Sequence, residues 1–367
     1  MMRIADNIIR YFTGIFFIFS GLLKINDPIG TSIKLKEYFE VFTEDISSIF
    51  EIFVPIALEL AVFVIVLEII LGIALLIGYK MKITSLILLL LVIFFTFLTF
   101  YSAWFEKVTD CGCFGEVIPL TPWQSFQKDI VLLILSIYIF FRKNEMKPLL
   151  KNISAHLVMV LALVINLGIA IYAIRHLPYI DFLPYHVGGH IPSYMKPSEP
   201  YRYKYIMEKE GKEYSFDVFP ADTTYAFKEM VLLNPKAAPR ITDYNVWNDE
   251  GDYTEATFEG TKLLIIAENI RNSNHNGIKR IIHLVEQLGD EVEVMLLTAT
   301  DEPTVEAYRH EYQLAVPYYF ADGTVLETMI RSNPGIILLN EGTVIGKWHH
   351  RDTPDAQKIK QIISNNK

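Results

Sequence analysis

A membrane-embedded α-helical bundle of about five spans, followed by a soluble α/β domain, is the fold class this sequence predicts. Three observations carry the prediction. Five apolar stretches of spanning length lie before residue 180. Residues 1–180 hold 14 Lys/Arg and 14 Asp/Glu while the remainder holds 19 and 28, so the whole formal charge of −9 sits in the second part of the 367-residue chain. That second part alternates short apolar runs with amphipathic helical patterns. A neutral apolar half followed by an acidic half reads as a membrane domain and then a soluble one. The acidic balance argues against nucleic acid as a partner, because phosphate binding needs a basic surface.

A spanning helix needs about 20 mostly apolar residues. The first candidate covers residues 8–23, behind Arg3 and Arg10. Its flanks resemble a secretory signal, but Lys24 and Asp27-Pro28 follow where a small-residue cleavage site would stand, so it is read as a retained span. The second covers residues 52–79 and the third 83–105. The fourth opens at Thr121-Pro122-Trp123-Gln124, a capping box with Pro at the first helical position, and runs to Phe141 with Lys128 and Asp129 in its first turns. The fifth covers residues 153–174. Residues 1–150 therefore read as a bundle and 151–180 as a fifth, tethering helix.

Short-loop Lys/Arg bias orients the spans. Arg3 and Arg10, then Lys80 and Lys82, then Arg142, Lys143, Lys147 and Lys151 fall on one side if five spans are counted. That side should be cytoplasmic, with loops 24–51 and 106–120 and everything after the fifth span outside an inner cell membrane.

Residues 181–237 read as an extracytoplasmic linker with a β-hairpin. Positions 181–200 are rich in Pro, Gly and Tyr, and alternating runs at 201–207 and 214–219 flank Glu210-Gly211. From residue 238 the pattern becomes that of a packed domain. Apolar runs at 262–267 and 292–297 suit buried strands. Helical spacing covers 277–288, 303–312 and 324–331, and runs 336–339 and 344–348 flank the turn Asn340-Glu341-Gly342-Thr343. Helices alternating with strands and ending on a hairpin imply a mixed sheet covered by helices.

The chain has only two cysteines, Cys111 and Cys113, in Asp110-Cys111-Gly112-Cys113-Phe114-Gly115. They cannot form a disulfide framework, so their role is local. Thiols one residue apart, with Gly between, close a small strained ring, and strained disulfides are readily reduced. A short loop removes little unfolded-state entropy, which disfavours a structural staple. The following helix N-terminus would favour a thiolate and Asp110 would oppose it. A redox pair is the favoured reading; inert thiols or a permanent bridge stay open, and metal is disfavoured because no His lies near in sequence.

Other polar groups in the spans are candidates in support. Glu59 and Glu68 fall nine residues apart on opposite faces of one helix, each a possible proton carrier for quinone chemistry or a paired packing residue. Lys24 and Asp27 end the first span, where an interfacial anchor is favoured over a pocket near the cysteines. Lys128 and Asp129 would be neutralised within the bundle. Trp104 and Trp123 fit an outer interfacial belt that would set the cysteine loop within reach of a quinone head. His349-His350 read as a solvated strand end.

Two resemblances add to this reading. "SNPGIILLNEGTVIGKW" and "APRITDYNVWNDEGDYTEATFEGTKLLIIA" resemble thioredoxin-like domains of the TlpA and peroxiredoxin type over roughly residues 238–365 of a domain read as 238–367. The resemblance implies a cis proline at Pro334. It departs after residue 267, where Glu268-Asn269-Ile270-Arg271-Asn272-Ser273-Asn274-His275 replaces the family's Cys-x-x-Cys. Without a thiolate the domain cannot exchange disulfides, which leaves a docking role. "FSGLLKINDPIG" and "DCGCFG" resemble the DoxX and MauE group of membrane proteins. That resemblance implies a four-helix core and a part in methylamine utilisation, where such proteins are linked to maturation of a disulfide-rich subunit, or in quinone-linked oxidation. The expected function is a membrane-bound thiol–disulfide or maturation factor with Cys111 and Cys113 as catalytic residues. Quinone is the possible cofactor, and membrane lipid and an extracytoplasmic client or redox protein are the partners. A non-catalytic, membrane-anchored assembly protein is the alternative.

Overall fold

The computed structural model describes residues 2–108, 115 and 120–366. The chain divides into two compact units, Met1–Phe182 and Leu183–Lys367. Helices long and apolar enough to cross a membrane cover Ile4–Asn26, Ser48–Ile77, Met81–Phe105, Pro122–Arg142 and Asn152–Arg175, five in all among the described residues. The protein is a multi-pass membrane protein.

In the first unit, α1 (Met2–Asn26) leads into α2 (Pro28–Asp45), a helix inside the stretch expected to be an outward loop. Asp27 caps α2 by accepting a hydrogen bond from Gly30 N at 2.8 Å, and Pro28 takes the first helical position. The Asp-Pro step therefore starts a helix. Residues Ser48–Ile56 follow as a 3₁₀ helix containing Pro55, and α3 begins only at Ala57, running to Ile77. Proline has no N–H for the α-helical ladder, so the regular part of the second span starts after it. α3 and α4 (Met81–Phe105) join at Gly78, whose φ of +70° is glycine's territory. The Thr121/Gln124 capping box opens α5 (Pro122–Arg142), and α6 (Asn152–Arg175) packs on α3 and α1.

Close approach of α1 and α3 depends on small residues. A Cβ on Gly72 would stand 2.7 Å from Gly14 O, and one on Gly14 would stand 2.9 Å from Gly72 O. Glycines let two spans meet backbone to backbone, where van der Waals contact must replace the hydrophobic effect. Phe17, Leu75, Leu88, Val92, Leu132 and Ile139 fill the space between α1, α3, α4 and α5. At the end of the bundle holding the start of α1, Arg142 Nη2 meets Asp6 Oδ2 at 2.9 Å, Tyr138 donates to Asp6 at 2.8 Å, and Arg10 donates to Lys147 O at 2.9 Å. The basic groups of α1 and of the α5–α6 connection thus share one end.

In the second unit, β1 (Tyr203–Lys209), β2 (Lys212–Phe216) and β3 (Ala226–Leu232) form a three-stranded antiparallel sheet in the order β2-β1-β3. The larger sheet contains β4 (Trp247–Asn248), β5 (Gly251–Asp252), β6 (Thr261–Ile266), β7 (Glu293–Thr298), β8 (Tyr318–Phe320), β9 (Gly335–Asn340) and β10 (Thr343–His349). Its order is β10-β9-β6-β7-β8-β4-β5. Strands β6, β7 and β8 are parallel, while β9 is antiparallel to both β6 and β10. Parallel neighbours need crossovers, supplied by α8 (His275–Leu288) and α9 (Glu302–Tyr312) after the short α7 (Ile191–Tyr194); α10 (Gly323–Met329) and α11 (Ala356–Asn365) follow. The continuous apolar runs are explained by burial on both faces, with Leu263, Leu264, Ile265 and Ile266 all inaccessible. The Asn333–Pro334 peptide is cis, directly before β9. Five apolar helices followed by this sheet make a membrane bundle joined to a thioredoxin-like domain.

Residues 183–200 differ from the expected linker. Gly188 N donates to Val344 O at 2.8 Å, Val344 N to Gly189 O at 2.9 Å and Ile191 N to Gly342 O at 3.0 Å, with Ile191 fully buried. This Pro- and Gly-rich segment satisfies the outer edge of β10, which would otherwise stand open, and belongs to the second unit.

Candidate functional site

The polar groups of the bundle collect in one cleft. Lys24, in the last turn of α1, reaches Glu68 in the middle of α3, with Nζ and Oε1 2.6 Å apart. Both are buried, at 7% and 1% exposure. Ser20, one turn before Lys24 on the same face, donates to Glu68 Oε2 at 3.2 Å, so both carboxylate oxygens are served. The Lys24 ammonium also lies 5.0 Å from the centroid of the Phe95 ring. On α5, Asp129 is 1% exposed. Its Oδ1 is 2.7 Å from Lys128 Nζ, and its Oδ2 is 3.0 Å from the Thr99 hydroxyl of α4. A charge at membrane depth is tolerated when paired and hydrogen-bonded, and each carboxylate here has its lysine.

These groups line a narrow cleft walled by Phe16, Phe17, Val64, Phe95, Leu98 and Leu132. α2 contributes Thr31, Lys34 and Tyr38 to it. Small-molecule sites have this character: apolar walls and a few convergent polar groups. Thr99 lies six residues before the end of α4, and Asp129 seven after the start of α5. At 1.5 Å of rise per residue the polar groups stand about 10 Å along the helices from the ends between which residues 106–121 run. That connection carries Asp110, Cys111 and Cys113, which lie outside the described residues.

The other expected site residues separate clearly. Lys24 is no interfacial anchor: the buried carboxylate of Glu68 draws it inward, whereas Asp27 serves as the cap of α2. Glu59 is exposed in the first turn of α3, where a carboxylate complements the helix N-terminus, and it shares nothing with Glu68. Trp104 and Trp123 are 63% and 47% exposed and do not line the cleft; outside it, Trp104 stacks on Phe100 and Trp123 meets Phe126 edge-on. Ser20, Thr99 and the α2 residues were not singled out from the sequence. The Ser20/Lys24 spacing of one turn and the Asp27-Pro28 helix start were the available signals.

In the second unit, the position corresponding to a thioredoxin Cys-x-x-Cys is held by residues 268–274 at the start of α8. Asn333 Nδ2 donates to Asn269 O at 2.8 Å and Asn274 N to Asn333 O at 3.1 Å, which ties the cis-proline turn to that helix start. No cysteine occurs in this unit. The His349-His350 pair is buried, not solvated, at 3% and 7% exposure. The His350 ring packs on Gly277, where a Cβ would stand 2.8 Å from it, and its Nδ1 lies 3.1 Å from Ser332 Oγ. Burial, then the nearby Arg351 and Arg280 guanidinium groups, push the His350 pKa down to about 4.

Residues 2–142 match the family of the methylamine utilisation protein MauE. The match runs from α1 through α5, so it contains the cleft and both cysteines. Protein TlpB of Flavobacterium psychrophilum is 42% identical over 59 residues, which is 16% of this chain and 16% of that protein. The chain thus aligns with only about a sixth of that relative's length. No solved structure matches.

Proposed function

We propose that the protein is a membrane-bound thiol–disulfide oxidoreductase of protein maturation. Cys111 and Cys113 cycle between disulfide and dithiol at the outer membrane surface, and the second unit docks the client. A client dithiol is oxidised to its disulfide as the Cys111–Cys113 disulfide is reduced. Re-oxidation of that pair releases two electrons and two protons, which a membrane quinone accepts. The observation that carries the reading is the buried polar cleft in the MauE-like bundle, close to the helix ends that bracket both cysteines. The shared end of Arg10, Arg142 and Lys147 supports the orientation, with that end cytoplasmic in an inner cell membrane.

The docking role is supported by the sheet β2-β1-β3. Register places Tyr205, Phe216 and Met230 side by side on one face, with Tyr214 and Phe227 both opposite Met207. Phe227 and Met230 are 56% and 49% exposed. Among the described residues neither β2 nor β3 has a strand on its outer side. An aromatic face with open edges suits an extended, partly apolar polypeptide. The same observation favours the second reading, a non-catalytic assembly protein.

Thiol trapping on membranes separates the two. A membrane-impermeant maleimide should label Cys111 and Cys113 in intact cells after reduction and little before it, and client oxidation should stop in the Cys111→Ser/Cys113→Ser variant. Full client oxidation in that variant would refute the redox reading and leave the assembly one. Labelling only in opened cells would refute the orientation.

A further inference from the structure

We infer that the cleft between α1, α3, α4 and α5 is the binding site for the head of a lipid-soluble quinone, with Lys24 donating a hydrogen bond to a carbonyl oxygen. The inference rests on the redox reading above for what the bound molecule is used for. The recognition itself rests on the cleft.

Location comes first. The cleft walls belong mostly to spans, with α2 contributing the rest, and seven of its lining residues are Phe, Val or Leu. Its occupant must therefore be largely apolar. Charge narrows the class further. Glu68 is matched by Lys24, Asp129 by Lys128, and Lys34 by Glu37 at 3.2 Å. An anionic head, such as a fatty-acid carboxylate, that took Lys24 or Lys128 would break its pair and strand a carboxylate only 1% exposed, which is strongly unfavourable. A neutral molecule that only accepts hydrogen bonds need not. Lys24 directs one of three N–H donors to Glu68 and so retains donor capacity. Phe17 and Phe95 offer flat surfaces for a ring. A neutral ring bearing accepting oxygens, on an apolar tail, meets each demand. The two lysine–carboxylate pairs also put groups that can carry protons beside it, as a carrier of two electrons and two protons requires.

The test uses the full chain in lipid nanodiscs, with Cys111→Ser/Cys113→Ser so that no thiol chemistry intervenes. An azido-ubiquinone analogue is photolysed with increasing decylubiquinone as competitor, and labelled peptides are mapped by mass spectrometry. Label is expected on α1, α3 or α5 peptides lining the cleft, and decylubiquinone should displace it. The charge-neutral Lys24→Met/Glu68→Gln variant should weaken competition about tenfold, the loss of one charge-assisted hydrogen bond. Val64→Phe, which fills the cleft and leaves every ion pair, should abolish the label without lowering the melting temperature. Label spread over lipid-facing helices, label unchanged in both variants, or displacement by oleate and not by decylubiquinone would overturn the inference. The thiol-trapping result is independent of these outcomes. Cysteines that cycle without cleft labelling would refute the site alone, and cleft labelling with inert cysteines would refute the redox reading alone.

Discussion

The Lys24–Glu68 pair offers the most decisive perturbation. At 2.6 Å the Coulomb attraction amounts to about 6 kcal/mol if the effective dielectric constant is about 20. Desolvating the two ions costs several kcal/mol each, so the intact pair contributes little net stability. Removing one partner is different, because 7% and 1% exposure leave the other charge no route to water. Glu68→Gln, which strands Lys24, should therefore destabilise the bundle by about 3–5 kcal/mol, and Lys24→Met by a similar amount. The double variant Lys24→Met/Glu68→Gln should lose no more than either single variant, a coupling of at least about 3 kcal/mol. Unfolding of the full chain in mixed micelles, followed by intrinsic fluorescence against rising SDS, measures all four proteins. Strictly additive losses in the double variant would refute the buried pair and with it the charge-balanced cleft.

Two further predictions probe the scaffold. Gly72→Ala places a methyl 2.7 Å from the Gly14 carbonyl, a backbone atom with no rotamer to move, and should cost about 1–3 kcal/mol in the same assay; an unchanged transition would refute the close α1–α3 crossing. In the second unit, His350 titrates near 4 when folded against an ordinary 6.5. The unfolded chain binds more protons between those values, so this contribution is fully present above pH 6.5 and is lost as pH falls toward 4. It amounts to about 3 kcal/mol across that window. His350→Asn should flatten that slope in thermal melts taken from pH 7 to 4; an equal slope in both proteins would refute the buried, neutral histidine.

Local patterns settle some elements of this protein without tertiary context. A span of apolar residues has one stable answer in lipid, a helix that satisfies its own backbone, so five spans follow from composition. The Thr121/Gln124 box, the Glu341-Gly342 turn and the buried runs of β6, β7 and β9 are equally local, each governed by backbone preference or two-sided burial. The sequence also locates the lone cysteine pair and shows that the thioredoxin-like unit lacks one.

Partnership between distant groups is what the tertiary structure decides. Lys24 at the end of a span looks like an anchor until Glu68, 44 positions later, is brought against it. Asp129 gains Thr99 only through the α4–α5 contact. His349 and His350 look solvated because they follow a strand, yet both are buried, and α8 carries Gly277 against the His350 ring. Residues 183–200 look like a linker because Pro and Gly suit loops, yet the open edge of β10 gives their backbone hydrogen-bond partners. Burial and charge pairing depend on which helices and strands become neighbours, and the spacing of residues along one element does not encode that.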